Sequence, residues 1–290
     1  MDRLLVLRLE SVGIAAEAVF NGVPLLRTAA AAAAPVAPVT GGPEDGGEDG
    51  TAAVAASAQV LSLSVNEFAV AGGNTLELRV QPPPPGQPPE TEPWLSDGQR
   101  GACLRLLLPR MGQRAHPETA RTLAQLDWAP VAGQVVELPA LVVKSVDLPI
   151  NFARWRWLDA PVVADIGTLQ AAAASFVQTL ALGLARGDAE PLVQASRLRL
   201  EELAQAYQLN LADAVGRLRL RVQQLHAAQP LRPPMPKPST LVLRAVADGR
   251  LLECLTPAGQ PALHSVVAGG GSMTWPLRLA HIEGRFYVLR

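Results

Sequence analysis

Short runs of alternating apolar and polar residues occupy most of the first 157 positions of this 290-residue chain, and residues typical of turns separate the runs. In the first run Leu7 and Leu9 alternate with Arg8 and Glu10. Such alternation buries every second side chain, which is typical of a half-buried β-strand. Asn21-Gly22 stands between two later runs, and this dipeptide favours the sharp turn of a β-hairpin. About seven or eight such runs predict an antiparallel β-sandwich over residues 1–158.

One tract without large side chains interrupts this pattern between residues 29 and 56. It opens with six consecutive alanines and contains an acidic, glycine-rich stretch at residues 41–50. Because it offers almost nothing to bury in a core, we predict a disordered surface insertion with an acidic tip. The tip could dock a basic partner, although a solvated loop is the simpler interpretation.

The pattern changes after Ala160-Pro161. Between residues 168 and 186 apolar side chains recur every three or four positions, and Gly187 follows, as is typical of the end of a helix. We expect a second helix from Asp188 to Tyr207 and a third from Asn210 to Leu225, since Asp and Asn are favoured at helix starts.

Four strand-like runs follow a proline-rich linker at residues 230–238. Asp248-Gly249 separates the first two and Glu283-Gly284 the last two, and both dipeptides favour hairpins. We therefore expect a C-terminal domain, residues 160–290, that combines helices with an antiparallel sheet, and the chain as a whole to be of the α+β class.

Charge and apolar content exclude several classes of partner. The chain has 25 Lys and Arg against 26 Asp and Glu, so no overall field attracts it to nucleic acid or to anionic lipid. The start lacks the pattern of a secretory leader, and the apolar stretch at 169–185 contains polar residues and is shorter than the roughly 20 residues that a bilayer requires. We expect a cytoplasmic protein without a membrane partner, in which Cys103 and Cys254 are unpaired thiols. Only Lys144 and Lys237 are lysines, which with the abundance of Ala, Pro and Gly indicates a GC-rich, bacterial source.

Two stretches resemble known families. Residues 18–25, 61–68 and 71–80, with their Asn-Gly and Gly-Gly-Asn turns, resemble accessory β-sandwich modules. The helices, Gly187-Asp188 and the final strands at 276–290 are similar to the NTF2-like (cystatin-like) fold. That resemblance implies a curved antiparallel sheet around a long helix. It implies no activity, because the fold hosts isomerases, dehydratases and non-catalytic binders alike.

In catalytic relatives of the NTF2-like fold a pocket carboxylate or histidine is the general base. Four residues of this chain could correspond to it, but Asp188 is explained as a helix cap and Glu283 as a turn residue. His264 and His281 remain as alternative catalytic candidates. The histidines show no metal-binding spacing, and no phosphate-loop, dinucleotide or nucleophile-elbow motif occurs. We therefore predict no metal and no cofactor.

The most aromatic stretch is Arg154-Trp155-Arg156-Trp157, which we predict to be the end of a strand over residues 151–157. Alternation would place both tryptophans on one side and both arginines on the other. The tryptophans would then either pack at the domain junction or anchor a partner. These four residues and Trp275 are the predicted binding interface.

The expected function is that of a bacterial, non-catalytic protein that binds another protein, for example a secretion-associated immunity protein or a chaperone that covers a surface of its partner. The alternative is a small-molecule hydrolase or isomerase that uses the cavity of the C-terminal domain. A third hypothesis, carbohydrate binding by the N-terminal domain, requires an exposed aromatic platform.

Overall fold

The structure is a computed structural model that describes residues 4–29, 58–82, 94–110, 113, 115–266 and 272–290. The predicted insertion lies outside these residues apart from position 29. Ten strands come first: β1 (Val6–Val12), β2 (Ala15–Phe20), β3 (Val23–Arg27), β4 (Ala58–Ser64), β5 (Gly72–Gln81), β6 (Trp94–Leu95), β7 (Gly101–Leu108), β8 (Arg121–Trp128), β9 (Val135–Val136) and β10 (Ala140–Leu148).

Four α-helices and six strands follow in the described part of the chain: α1 (Gln170–Ala185), α2 (Glu190–Ala195), α3 (Arg197–Ala206), α4 (Leu211–Ala228), β11 (Val242–Val246), β12 (Leu251–Leu255), β13 (Leu263–Val266), β14 (Ser272–Trp275), β15 (Arg278–Ile282) and β16 (Arg285–Val288). Short 3₁₀ helices lie at Asn66–Phe68, Arg156–Leu158 and Gly167–Leu169. The chain is therefore α+β, with several antiparallel four-stranded sheets and a few helices.

The first eight long strands form two antiparallel sheets, in the orders β4-β1-β7-β8 and β10-β5-β2-β3. Alternate side chains of each sheet are fully buried in one shared cluster, the first core. Its leucines from the two sheets are Leu7, Leu9, Leu104, Leu106 and Leu126 on one side and Leu76, Leu78 and Leu148 on the other. The alternation that predicted strands thus also decides which face of each sheet is buried.

Two of the predicted hairpin turns have the expected backbone. Asn21 and Gly22 have φ values of 50° and 73°, and Glu283 and Gly284 have φ values of 49° and 76°. Both central positions are therefore left-handed, as the type I′ turn requires. The loop at Asp248 is longer than predicted, because Val246 pairs with Leu251 and leaves four residues between the strands.

The helices differ from the prediction at one point. The expected helix from Asp188 to Tyr207 is divided into α2 and α3, because Ser196 leaves the helical conformation with φ −97° and ψ 8°. Asp188 lies two residues before the start of α2, and Ala189 holds the cap position. The Asp188 carboxylate still accepts a hydrogen bond of 2.9 Å from the Glu190 amide. Asn210 caps α4 as predicted, since its side-chain oxygen accepts a hydrogen bond from the Ala212 amide at 2.8 Å.

The C-terminal sheet has the antiparallel order β11-β12-β15-β16, and the β13–β14 hairpin forms a separate two-stranded sheet. One face of α1 packs with this sheet in the second core, which includes Val177, Leu180, Leu252, Leu279 and Val288. The helical segment extends over Gly167–Ala185, two residues more than the apolar stretch at 169–185, and contrary to the prediction it is long and apolar enough to span a membrane by length and composition alone, with a mean hydropathy of 1.3. Core helices of soluble proteins meet the same criterion.

The first core continues beyond the N-terminal sheets. It takes in C-terminal side chains, namely Ala206, Val246, Leu251, Ala280 and Leu289. The Ala247 amide also donates a hydrogen bond of 2.8 Å to the carbonyl of Gly22, which joins one hairpin turn to another. The N-terminal sheets and the C-terminal elements are therefore packed together without a gap in the apolar core.

The strand predicted at residues 151–157 is wrong. Residues 151–155 have no regular structure, and Arg156–Leu158 form a single 3₁₀ turn. The predicted separation of side chains nevertheless occurs, because Trp155 and Trp157 are buried and Arg154 and Arg156 are exposed. The alternation arises from an extended residue, Trp155, that leads into the turn, and no partner strand is involved.

Candidate functional site

Two rows of charged side chains face each other where the N-terminal and C-terminal sheets meet. In the first row, the strand register places Glu17 beside Arg79 on β5 and beside Arg27 on β3. In the second row, Glu253 lies beside Arg244 on β11 and Arg278 on β15. Each row therefore has a glutamate between two arginines. We call these six residues the charged junction.

The two rows interlock through shared arginines. Arg27 donates from Nε to Glu17 at 2.6 Å and from Nη2 to Glu253 at 2.6 Å. Arg244 donates from Nη2 to Glu17 at 2.7 Å and from Nε to Glu253 at 2.9 Å. Because each of these arginines binds both glutamates, the charged junction joins the two sheets directly.

Glu17 is almost completely buried within this arrangement. Burial by itself raises the pKa of this carboxyl group, but the hydrogen bonds and positive charges of Arg244 and Arg27 outweigh it and the pKa of Glu17 lies below its ordinary value. For Arg244 burial opposes the charged form, yet hydrogen bonds to Glu17 and Glu253 and their negative charges raise its pKa overall. The pair is thus held in its charged state.

Arg278 is the least well compensated member of the charged junction. Its Nη2 donates to the carbonyl oxygen of Pro24 and lies 3.7 Å from the nearest carboxylate oxygen, Oε1 of Glu253. Its Nε is buried and has no hydrogen-bond partner among the residues that the structure describes. Burial lowers the pKa of Arg278 to about 10.

A cleft of about 310 Å³ opens beside the charged junction, and we call it the junction cleft. Arg27, Glu253 and Arg278 form its charged lining. The rest of its lining is largely apolar, with Pro24, Leu25, Leu255, Pro261, Pro276 and Leu277. Such a combination of apolar walls and a few polar groups is typical of a site for a small ligand.

A second buried charge lies deeper between the sheets and helices. The Arg290 guanidinium is 5.6 Å from the ring centre of Phe68 and 5.9 Å from those of Trp155 and Trp157. It is paired with Glu202 at 2.5 Å. Cation–π contact and the ion pair compensate the charge of Arg290, so we regard the cluster as structural. The Nε of Arg290, like that of Arg278, is buried and has no hydrogen-bond partner among the described residues.

The structure accounts for the tryptophans of the predicted interface. Trp155 and Trp157 are only 1% and 2% exposed, so neither can anchor a partner at the surface. Of the two alternatives given for these tryptophans, the structure shows packing in the core. Arg154 and Arg156 lie on the surface, where they pair with Asp159 at 2.8 Å and Glu201 at 2.6 Å.

Trp275, the remaining member of the predicted interface, packs against the second core. The structure therefore does not gather these five residues into one surface. A binding role for the exposed arginines stays a prediction.

The two candidate histidines, His264 and His281, contact neutral groups. Nδ1 of His264 is 2.9 Å from the carbonyl oxygen of Pro261. The ring of His281 lies against that of Phe286, with 4.9 Å between ring centres and an angle of 45° between the ring planes. In the described part of the chain, neither histidine has a carboxylate partner, and no group of three possible metal ligands occurs. The arrangement that would support an acid–base role for either histidine is thus missing from the described residues.

The thiols are held in their neutral form. Cys254 lines the junction cleft but is almost completely buried, and burial raises its pKa. Burial and the neighbouring Asp127 carboxylate raise the pKa of Cys103 to about 12. Because the thiolate is the reactive form, neither cysteine is suited to act as a nucleophile near neutral pH.

Sequence reasoning missed the charged junction, although a signal was present. Glu17 lies within the apolar run Ala15–Phe20 and Glu253 within the apolar run Leu251–Leu255. A single charged residue in a short apolar run predicts a buried ion pair, since buried charges are nearly always paired. The partners themselves come from distant parts of the chain, which the pattern does not reveal.

Compared with models of known protein families, with curated proteins and with solved structures, the chain matches none of them.

Proposed function

We propose that this protein is a non-catalytic binding protein whose partner is another protein, with a bacterial secretion-associated immunity protein or chaperone as the concrete case. On this proposal an N-terminal β-sandwich and a C-terminal NTF2-like domain form one rigid body that covers a surface of the partner. The shared apolar core and the charged junction support the rigidity. They favour recognition of a fixed shape over a cycle of opening and closing.

The observation that carries the proposal is the state of the two glutamates of the charged junction, of which Glu253 lines the junction cleft. Glu253 has one oxygen bound by both Arg27 and Arg244, and Glu17 is bound by the same two arginines. A general base needs a carboxylate or imidazole that can take up a proton near neutral pH. These glutamates are committed to ion pairs, and their geometry favours a structural role.

Two exposed apolar side chains provide a surface for the partner. Leu141 and Val143 on β10 are 60% and 53% exposed. Both lie on the same face of the sheet, beside Arg79 and Glu77 on the neighbouring strand. Apolar groups next to charged ones are the composition expected of a contact surface with a polar rim.

The test has a catalytic and a binding arm. We expect the purified chain to show no turnover of esters, epoxides or sugar conjugates, and to form a stoichiometric complex that can be rebuilt from the purified partner. Changing both Leu141→Glu and Val143→Glu should weaken that complex at least about tenfold, because two buried apolar contacts are lost. The control is Val266→Glu, at an equally exposed valine on β13.

The alternative function is a small-molecule hydrolase or isomerase. The specific observation in its favour is the junction cleft, whose 310 Å³ lies at the lower end of the usual range for ligand sites. Robust turnover that is lost with His281→Ala would establish this alternative and end the proposal of a non-catalytic binder.

A further inference from the structure

The charged junction contains more positive than negative charge. Its four arginines face two glutamates, and Glu77, which pairs with Arg79 at 2.6 Å, is the third carboxylate. One guanidinium therefore remains without a full counter-charge. Uncompensated charge is costly in a buried position, so its location is informative.

The excess charge lies at Arg278. Arg27 and Arg244 each donate to a carboxylate within 2.7 Å, and Arg79 does so within 2.6 Å. Arg278 instead donates to a neutral carbonyl, and its closest carboxylate oxygen is 3.7 Å away. Its buried Nε has no partner among the described residues, and a buried unsatisfied donor calls for an explanation. Arg199 and Arg290 share this feature, but neither of them lines the junction cleft.

Arg278 is also a lining residue of the junction cleft. The neighbouring Glu253 repels an entering anion only weakly, because Arg27 and Arg244 already neutralise it. A single negative charge would complete the balance, whereas a doubly charged phosphate would exceed it. A planar carboxylate also matches the fork of a guanidinium group better than other anions of one charge.

We infer that the junction cleft binds a carboxylate carried on a short apolar body, with the carboxylate paired to Arg278 and the apolar part against Leu25 and Leu277. Both a free organic acid and the chain-terminal carboxylate of a peptide with an apolar last residue have this chemistry. The inference goes beyond the proposed function, because it concerns the cleft whether or not a partner protein is bound.

The test measures binding of two acids to the full chain by calorimetry: hexanoate, which represents the free acid, and N-acetyl-leucine, which represents a peptide terminus. The controls are the uncharged amides of the same two compounds. We expect at least one acid to bind roughly tenfold or more tightly than its amide, because a charge-assisted hydrogen bond replaces a neutral one. Preference for hexanoate or for N-acetyl-leucine identifies the source of the carboxylate.

Two kinds of variant locate the site. Arg278→Gln should abolish the preference for the acid over the amide. If that buried substitution unfolds the chain, Thr274→Trp decides, because Thr274 is exposed, lines the cleft and can fill it without disturbing either core. We expect Thr274→Trp to reduce acid binding about tenfold or more with an unchanged circular dichroism spectrum. Ser272→Trp, at an exposed position two residues earlier on the same strand, should leave binding intact. Equal binding of acid and amide, or binding that Thr274→Trp does not affect, would overturn the inference.

Discussion

Replacing Glu17 with glutamine tests how far the charged junction stabilises the fold. The substitution keeps the shape of the side chain and removes its charge. Its carboxylate is nearly fully buried and accepts hydrogen bonds from Arg27 at 2.6 Å and Arg244 at 2.7 Å, with Arg79 at 3.4 Å. The glutamine amide would direct a donor at guanidinium groups that can only donate.

The expected loss can be estimated from these contacts. Removing one partner of a fully buried ion pair costs about 3–5 kcal/mol. The three arginines, however, remain about one-third exposed, at 32%, 36% and 37%, and two of them keep Glu253 as a partner. Water and Glu253 therefore relieve part of the cost, and we expect Glu17→Gln to lower the free energy of unfolding by about 2–3 kcal/mol.

Equilibrium unfolding in urea, followed by tryptophan fluorescence, measures this loss. Glu190→Gln is the matched control, because Glu190 pairs with Arg219 at 2.5 Å on the open surface, where water screens the pair. We expect the control to unfold at nearly the same urea concentration as the parent. If Glu17→Gln were as stable as Glu190→Gln, the charged junction would not hold the two sheets together.

The same variant should change the dependence of stability on pH. Burial alone raises the pKa of Glu17, but hydrogen bonds from Arg244 and Arg27 lower it overall, so the unfolded chain takes up the proton first. The stabilisation is then present above the ordinary pKa of glutamate, about 4.3, and is lost as the pH falls through the lower folded value. The difference between parent and Glu17→Gln should therefore shrink in acid.

Two further predictions concern the packing of the hairpin turn and the thiols. Gly284→Ala should lower the free energy of unfolding by about 1–2 kcal/mol, because the left-handed backbone at this position disfavours any Cβ. Gly22→Ala should lower it clearly more in the same urea assay, because its new Cβ would lie 3.1 Å from the Cα of Ala247. Equal losses for the two variants would show that the contact between Gly22 and Ala247 is loose. Cys103 and Cys254 should react with a disulfide reagent at pH 8 only after unfolding, and rapid reaction of the native chain would contradict the raised pKa values of both thiols.

Local chemistry made much of the fold predictable. Asn21-Gly22 and Glu283-Gly284 specify their turns because both central positions need positive φ, and Asn210 specifies the start of α4 because its side chain accepts from the first free amides. The break at Ser196 between α2 and α3 was not predictable, because the apolar spacing of the helices continues across it. Residue propensities and apolar spacing predict single helices and strands, but they do not predict how neighbouring elements pack against them.

The candidate site was less predictable than the fold, because its members are far apart in the sequence. Arg244 binds Glu17 across 227 positions, and Arg27 binds Glu253 across 226. A charge in an apolar run shows that a partner must exist, but several arginines of the chain could fill that role. Only the docking of the two sheets selects among them.

The order of signs in the two rows also restricts how the sheets can be aligned. A sideways slip by one strand, about 4.8 Å, would set arginine opposite arginine and glutamate opposite glutamate. Arg27 and Arg244 could then no longer bridge Glu17 and Glu253, so misaligned docking of the two sheets during folding is penalised by repulsion as well as by lost contacts. A mutation that reverses the sign of Arg27 or Arg244 would consequently disturb both rows at once, because each of these arginines contacts a glutamate of each row.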